Sequence, residues 1–338
     1  MTTTTFSIGG ADGFGIRGHV HRPARADGAV PVLVFMHGFK GFQGWGPWAA
    51  VCDRFAENGV AAIRFDLSHN GVGDDGVAFS ALDRFERNTI DAELFDLEAV
   101  LDWIGSDEAQ VDPANGESLR PRLDPRRVVL LGHSRGGGGV LLGAAERFGL
   151  TPEAPAGKSR AGADTVTVRG LITWSAIATY ERGWAVEAIE RWERGESVPV
   201  WNKRTEQMMP LGPQLYRDYL ARPNRYDIQA ATRRLGKAGV PVLFVHGAED
   251  ETVPVAEVSL LEKAYSEGAA TGGGSPGGQD ANIANANMDA STHGAVAVVP
   301  GGDHTYGTKH PFEAWTAPLE AAFDHALRFA LGVTEEKA

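Results

Sequence analysis

The passage Val128-Val129-Leu130-Leu131-Gly132-His133-Ser134-Arg135-Gly136-Gly137 constrains the fold more than any other: a serine stands in a small-x-Ser-x-small pattern directly after an apolar run. A strand has to end, turn too sharply for side chains at Gly132 and Gly136, and pass straight into a helix. Such a nucleophile elbow holds its serine in strained backbone with the hydroxyl exposed, and its glycines let backbone pass close to backbone. Backbone N–H groups opening the helix are then free to receive developing negative charge, which the helix dipole also favours. In a chain with 43 glycines a lone match of this kind carries little weight. Its weight comes from an oxyanion loop before it and an acid and a histidine after it.

The rest of the chain reads as alternating strands and helices. Val30 to Met36, Val60 to Phe65, Val166 to Ile172 with Trp174 to Ala176, Val240 to Val245 and Ala295 to Val299 are apolar runs suited to strands buried on both faces. Between them Trp48, Val51, Cys52 and Phe55 recur at helical spacing, as do Leu94, Leu97, Leu101 and Ile104, beside which Asp91, Glu93, Asp96 and Glu98 read as a solvated face. Further helices are expected over 139–148, over 254–267 and along Leu319, Phe323 and Leu327. Phe6 to His21, broken at Gly9-Gly10 and Asp12-Gly13, reads as an edge hairpin. The alternation predicts an α/β fold: a mostly parallel central sheet with helices on both faces. Residues 1–178 and 236–338 form its core, and 179–235, with helical patterns around 185–192 and 214–220, reads as an inserted helical cap. The segments 151–164 and 268–291, the latter dominated by Gly, Ala, Asn and Ser, read as flexible loops.

Bulk properties narrow the function. The 338 residues suffice for one large α/β domain with insertions, and no apolar run approaches the ~20 residues of a membrane span. A net charge of −12 argues against nucleic acid or an anionic membrane as partner. Met1 to Phe6 shows neither a basic nor an apolar leader region, so a cytoplasmic location is expected. The single cysteine, Cys52, excludes an internal disulfide and a cysteine-rich metal site. No His-rich or Asp-rich pair has ligand spacing and no Gly-x-Gly-x-x-Gly follows a first strand, so neither metal nor cofactor is expected. No feature of the sequence sets an oligomeric state.

In a parallel sheet, reactive groups belong just past the carboxyl ends of strands. The loops there are His37-Gly38-Phe39-Lys40-Gly41-Phe42, the elbow, His246-Gly247-Ala248-Glu249-Asp250-Glu251-Thr252-Val253-Pro254, and Gly302-Asp303-His304-Thr305-Tyr306. These motifs, spread over nearly the whole chain, resemble the α/β-hydrolases of the dienelactone-hydrolase-like and prolyl-oligopeptidase-like branch, whose triad runs Ser, Asp, His in chain order. The resemblance implies Ser134 as nucleophile, His304 as the base it needs, and Asp250 as the carboxylate that holds the imidazole's tautomer. His133, His69 and His310 compete for the base, and Glu249 and Glu251 for the acid; Asp303 reads as a loop cap. The oxyanion donors are assigned to the N–H groups of Phe39 and Arg135. The loop of Asp66, Ser68, His69, Asn70 and Gly71 is expected to buttress the elbow.

Trp174, Trp184 and Met208, with Trp192, Trp201 and Met209, are candidates for an apolar pocket under the cap, and His69 for its lining; at least half of the cap set is expected to be plain core. The arginine side chain at 135 either contacts an acidic or polar substrate group or is paired within the protein. The activity implied is that of a serine carboxylesterase acting through an acyl-enzyme on a small ester, short-chain or of an aromatic acid of the feruloyl type. A peptidase or amidase using the same triad, and a catalytically idle ligand-binding protein of the same fold, are the alternatives.

Overall fold

The computed structural model describes residues 1–151, 166–203, 205–272 and 294–335. In chain order the elements are β1 (Thr2–Gly9), β2 (Gly15–Arg22), β3 (Val30–Met36), α1 (Trp48–Glu57), β4 (Ala61–Asp66), α2 (Leu82–Glu86), α3 (Ile90–Ile104), β5 (Leu123–His133), α4 (Arg135–Arg147) and β6 (Val168–Trp174). Then come α5 (Val186–Glu193), β7 (Val198–Asn202), β8 (Gln207–Leu211), α6 (Pro213–Ala221), α7 (Ile228–Lys237), β9 (Val242–Gly247), α8 (Ala256–Gly272), β10 (Ala295–Val299) and α9 (Ala317–Thr334).

Eight strands form one sheet in the order β1-β2-β4-β3-β5-β6-β9-β10. The β1–β2 hairpin lies at the edge and joins β4 antiparallel; every pairing from β4 to β10 is parallel. Val32, Leu33, Val34, Leu130, Leu131, Leu171 and Ile172 are fully buried, as strands covered on both faces require. On one face α1 and α9 meet through Phe55 and Phe323, with ring centroids 4.9 Å apart. On the other, α3, α4, α7 and α8 pack in succession. Side-chain caps at Thr89, Asp227 and Thr316, each accepting from an N–H three residues on, start α3, α7 and α9.

Three expectations are revised. The acidic run of α3 is not a uniformly solvated face: Glu93 and Asp96 are buried. Asp96 accepts backbone N–H groups from Ala11 (2.9 Å) and Ser68 (2.7 Å), and its burial pushes the carboxyl up to about 6. The segment 179–235, expected to be helical, also contains the two-stranded antiparallel sheet β7–β8, and its last helix, α7, packs on α4 and α8 of the core. Residues 268–272, expected to begin a loop, close α8 instead. A Cβ on Gly268 would lie 1.9 Å from the carbonyl oxygen of Arg233, and one on Gly272 2.2 Å from that of Lys237. The small residues there let α8 touch α7. The remainder of the expected 268–291 loop, from 273 onward, and 152–164 of the 151–164 insertion lie outside the described residues.

Candidate active site

The elbow is assembled from backbone contacts. β5 ends at His133, α4 begins at Arg135, and Ser134 between them has φ 58° and ψ −121°, a conformation that costs a non-glycine residue energy and persists only where its surroundings enforce it. Enforcement comes from both of its peptide groups: the Ser134 N–H donates to the Trp174 carbonyl (2.8 Å), and its carbonyl accepts from the Gly137 N–H (2.9 Å). Glycine is required at three neighbours. An added Cβ would lie 2.2 Å from the Gly136 oxygen at Gly132, 2.4 Å from the Met36 oxygen at Gly136, and 2.4 Å from the Ala176 Cβ at Gly137.

His304 and Asp250 meet as expected, Nδ1 of the imidazole lying 2.8 Å from Oδ2 of the carboxylate. An ionised carboxylate only accepts, so Nδ1 donates to it, and in the neutral imidazole the lone pair then lies on Nε2, where a general base needs it. Asp250 Oδ1 accepts the N–H groups of Thr252 (2.9 Å) and Val253 (2.8 Å). Burial works to raise the Asp250 carboxyl, but the hydrogen bond and charge of His304, the Val253 N–H and the Ser175 hydroxyl together hold it below the usual carboxylate range. The competing acids, Glu249 and Glu251, line the cavity beside it.

Two further histidines brace this pair, His133, a competitor for the base in the sequence, and His246, which the sequence left without a role. His133 Nε2 donates to the His304 carbonyl (2.8 Å), and the two rings lie 4.7 Å apart. His246 Nε2 donates to the Val253 carbonyl (2.8 Å), fixing the turn whose N–H groups hold Asp250; burial lowers its basicity and keeps it neutral. Each stands inside a motif, next to the nucleophile or at the head of the acid loop, which is the signal that could have marked them.

The loop after β3, where the sequence places one oxyanion donor, is oriented by His37. Its Nε2 accepts the Leu67 N–H (3.2 Å), so its Nδ1 carries the proton and donates to the Gly38 carbonyl (2.9 Å), which also accepts from the Gly41 N–H (3.0 Å). In a trans peptide the N–H points opposite to the carbonyl, so fixing the Gly38 oxygen fixes the direction of the Phe39 N–H. The loop lies against Ser134: a Cβ on Gly38 would be 2.9 Å from the Ser134 Cβ. The loop after β4, expected to buttress the elbow, instead holds this one, Asp66 accepting from the Gln43 backbone N–H and Nε2, both at 2.9 Å.

Ser134, His304, Phe39 and Arg135 open onto one cavity of about 1190 Å³. Its far wall comes from the 179–221 stretch: Trp184, Ala188, Trp192, Val198, Val200 and Leu215. Of the proposed pocket residues Trp184 and Trp192 line it, and Trp174, Trp201, Met208, Met209 and His69 do not. Trp174 is wholly buried behind the site, against Trp48 (6.2 Å) and Tyr306 (5.3 Å). Met208 is half exposed on the outer face of β8, where strand alternation buries Met209 instead. His69 is buried under the β1–β2 turn, its Nδ1 2.8 Å from Ser68 Oγ and its Nε2 3.3 Å from Asp12. Among the described residues no group of three or more His, Cys, Asp or Glu could hold a metal ion, and no helix is long and apolar enough to cross a membrane.

A sequence profile of the alpha/beta hydrolase family matches residues 33–320, a span that includes every residue of this site. Cutinase est1 of Thermobifida alba is 30% identical over 146 residues, 43% of this chain and 40% of the cutinase, so the chain spans less than half the length of that relative. Est1E of Butyrivibrio proteoclasticus with ferulic acid bound superposes with a TM-score of 0.56 at 20% identity over 96% of each chain. A thermophilic esterase of Thermogutta terrifontis superposes with a TM-score of 0.56 at 15% identity, over 97% of this chain and 91% of that one. At these identities the likeness is one of fold.

Proposed function

Because the chain belongs to the alpha/beta hydrolase family, we propose that it is a serine carboxylesterase working through an acyl-enzyme on short-chain or aromatic-acid esters, with 179–235 as the cap over its site. The observation that carries the reading is the 2.8 Å contact between His304 Nδ1 and Asp250 Oδ2 on the cavity that Ser134 enters from a strained elbow. Ser134 Oγ bonds to the ester carbonyl carbon as its proton passes to His304 Nε2. The Phe39 and Arg135 N–H groups receive the charge that develops on the carbonyl oxygen. Collapse breaks the carbon–oxygen bond to the alcohol, which takes the proton from His304. A water then gives a proton to His304 and attacks the acyl carbon, and Ser134 leaves reprotonated with release of the acid. Asp250 keeps the imidazole in the required tautomer and balances its charge while it is protonated.

The acyl range rests on the aromatic wall. Trp184 and Trp192, ring centroids 5.6 Å apart, suit a flat or short apolar acid, and the ferulic-acid complex of Est1E is in keeping with it. The test is hydrolysis of p-nitrophenyl and hydroxycinnamoyl esters from acetyl to long acyl chains, run beside Ser134→Ala, together with fluorophosphonate labelling. An optimum at one acyl size, labelling of Ser134, and a loss of about 10⁴-fold or more in kcat in the variant are expected. Labelling with amide but no ester turnover would replace esterase by amidase, and absence of labelling would end the enzyme reading.

A further inference from the structure

The side chain of Arg135 is a second group in the cavity. Its Nε lies 3.0 Å from Glu93 Oε2, while Glu93 Oε1 accepts from Asn88 Nδ2 at 2.7 Å. The guanidinium carbon sits 5.2 Å from the centre of the Phe39 ring and 5.0 Å from that of Tyr180. Thus gripped on one edge and held between two aromatic faces, the side chain is nine-tenths buried. Its Nη2 is buried with no hydrogen-bond partner among the described residues, and so is the hydroxyl of Tyr180, a residue only 4% exposed. Both residues line the cavity that Ser134 and His304 enter.

Buried polar groups of folded proteins are nearly always paired, and orphaned ones in a ligand cavity mark where a ligand atom completes them. Burial, reinforced by the charge of Glu93, pushes the Tyr180 phenol up, so it stays protonated and can donate. Both orphans can therefore donate, which calls for an acceptor. Glu93 already balances the guanidinium, so the site lacks hydrogen-bond acceptors rather than a counter-charge, and a carboxylate would add an unbalanced charge near Glu93. We infer that Arg135 and Tyr180 form a subsite for a neutral oxygen, a hydroxyl, methoxy or keto group, carried by the substrate at a distance from the scissile carbonyl. The inference rests on the esterase reading and narrows it to esters with an oxygen-bearing substituent.

The test uses p-nitrophenyl alkanoates and isosteric esters with one methoxy or keto oxygen placed at successive positions along the acyl chain, plus carboxylate-bearing and hydroxycinnamoyl analogues. The best-placed neutral oxygen is expected to raise kcat/KM about 10-fold or more over its plain isostere, because a site built to bond an oxygen rejects the analogue lacking it. Tyr180→Phe and Arg135→Met should cut that ratio at least about fivefold; the ratio is read because the Arg135 N–H also serves the oxyanion. A ratio near one at every position, a ratio unchanged in both variants, or a preference for the carboxylate would overturn the inference while leaving the esterase intact. Titration calorimetry of Ser134→Ala with the matching free acids reads the subsite without turnover. Selective binding there that disappears with Tyr180→Phe, in a protein that hydrolyses no ester, would uphold the subsite and sink the esterase. Equal binding of oxygenated and plain acids would count against the subsite.

Discussion

The cavity has two walls built on opposite principles. At the strand ends, backbone touches backbone: a Cβ on Gly132 or Gly247 would fall 2.2 or 2.3 Å from a carbonyl oxygen, and His37, Asp66, His133, His246 and Asp250 each carry hydrogen bonds that set a loop. Across from it the 179–221 wall is side chain against side chain, with Trp184 edge-on to Trp192, Tyr216 and Tyr219 at centroid distances of 5.6, 5.8 and 5.0 Å. The first wall leaves no room for a methyl group at these glycines, and in the proposed reaction it carries the chemistry. The second can be repacked, and on the proposed reading it sets what fits.

The comparison breaks most visibly at Asp250. Asp250→Asn keeps the packing but offers His304 Nδ1 the wrong partner; a loss of about 10³- to 10⁴-fold in kcat is expected, measured on the best ester of the panel. Gly132→Ala inserts its methyl against the Gly136 oxygen, and chemical denaturation should show at least about 3 kcal/mol of lost stability. An unperturbed midpoint would mean that the strand-end wall is softer than its contacts imply.

Asp96, under the same wall, tests the buried acid. Its folded carboxyl, pushed up to about 6 from 3.8, holds its proton through a pH range in which the unfolded one has lost it. The folded state binds more protons there, so this group's contribution to stability falls as pH rises from about 4 to 6. Denaturant titrations at pH 4 and 7 should show the stability of the wild type relative to Asp96→Asn falling by roughly 2 kcal/mol over that interval. No change would place the carboxyl in contact with solvent. On the far wall, Trp184→Ala should move the acyl optimum to larger chains, by about tenfold in the ratio of long to short esters, while acetyl turnover stays within about threefold. Met208→Ala, on the outer face of β8, should leave both within about twofold.

Most of the strand-end wall was legible because its elements obey local rules: buried parallel strands read as unbroken apolar runs, and an elbow declares itself through glycines at fixed offsets. Glu93 and Asp96 were misread because helical periodicity says which face an acid lies on, not whether a partner waits there; Arg135 is 42 residues away from Glu93 along the chain. Gly268 and Gly272 were misread because glycine serves both a loop and a close helix contact, and only the neighbouring helix tells them apart. The β7–β8 hairpin and the inward choice of Met209 over Met208 depend on register, which a short strand rich in proline and methionine does not announce. His133 and His246 were visible, but their work is to hold backbone in place, a role that residue type alone does not reveal.

Arg135 has a consequence beyond the site itself. Its amide is common to every residue but proline, whereas its guanidinium is peculiar to arginine, so in the proposed reaction one position carries both an oxyanion donor that any such residue supplies and a subsite group that only arginine supplies. On that proposal, exchanging the side chain at 135 together with Tyr180 would alter recognition without removing the backbone donor, so substrate preference would have room to drift one residue from Ser134.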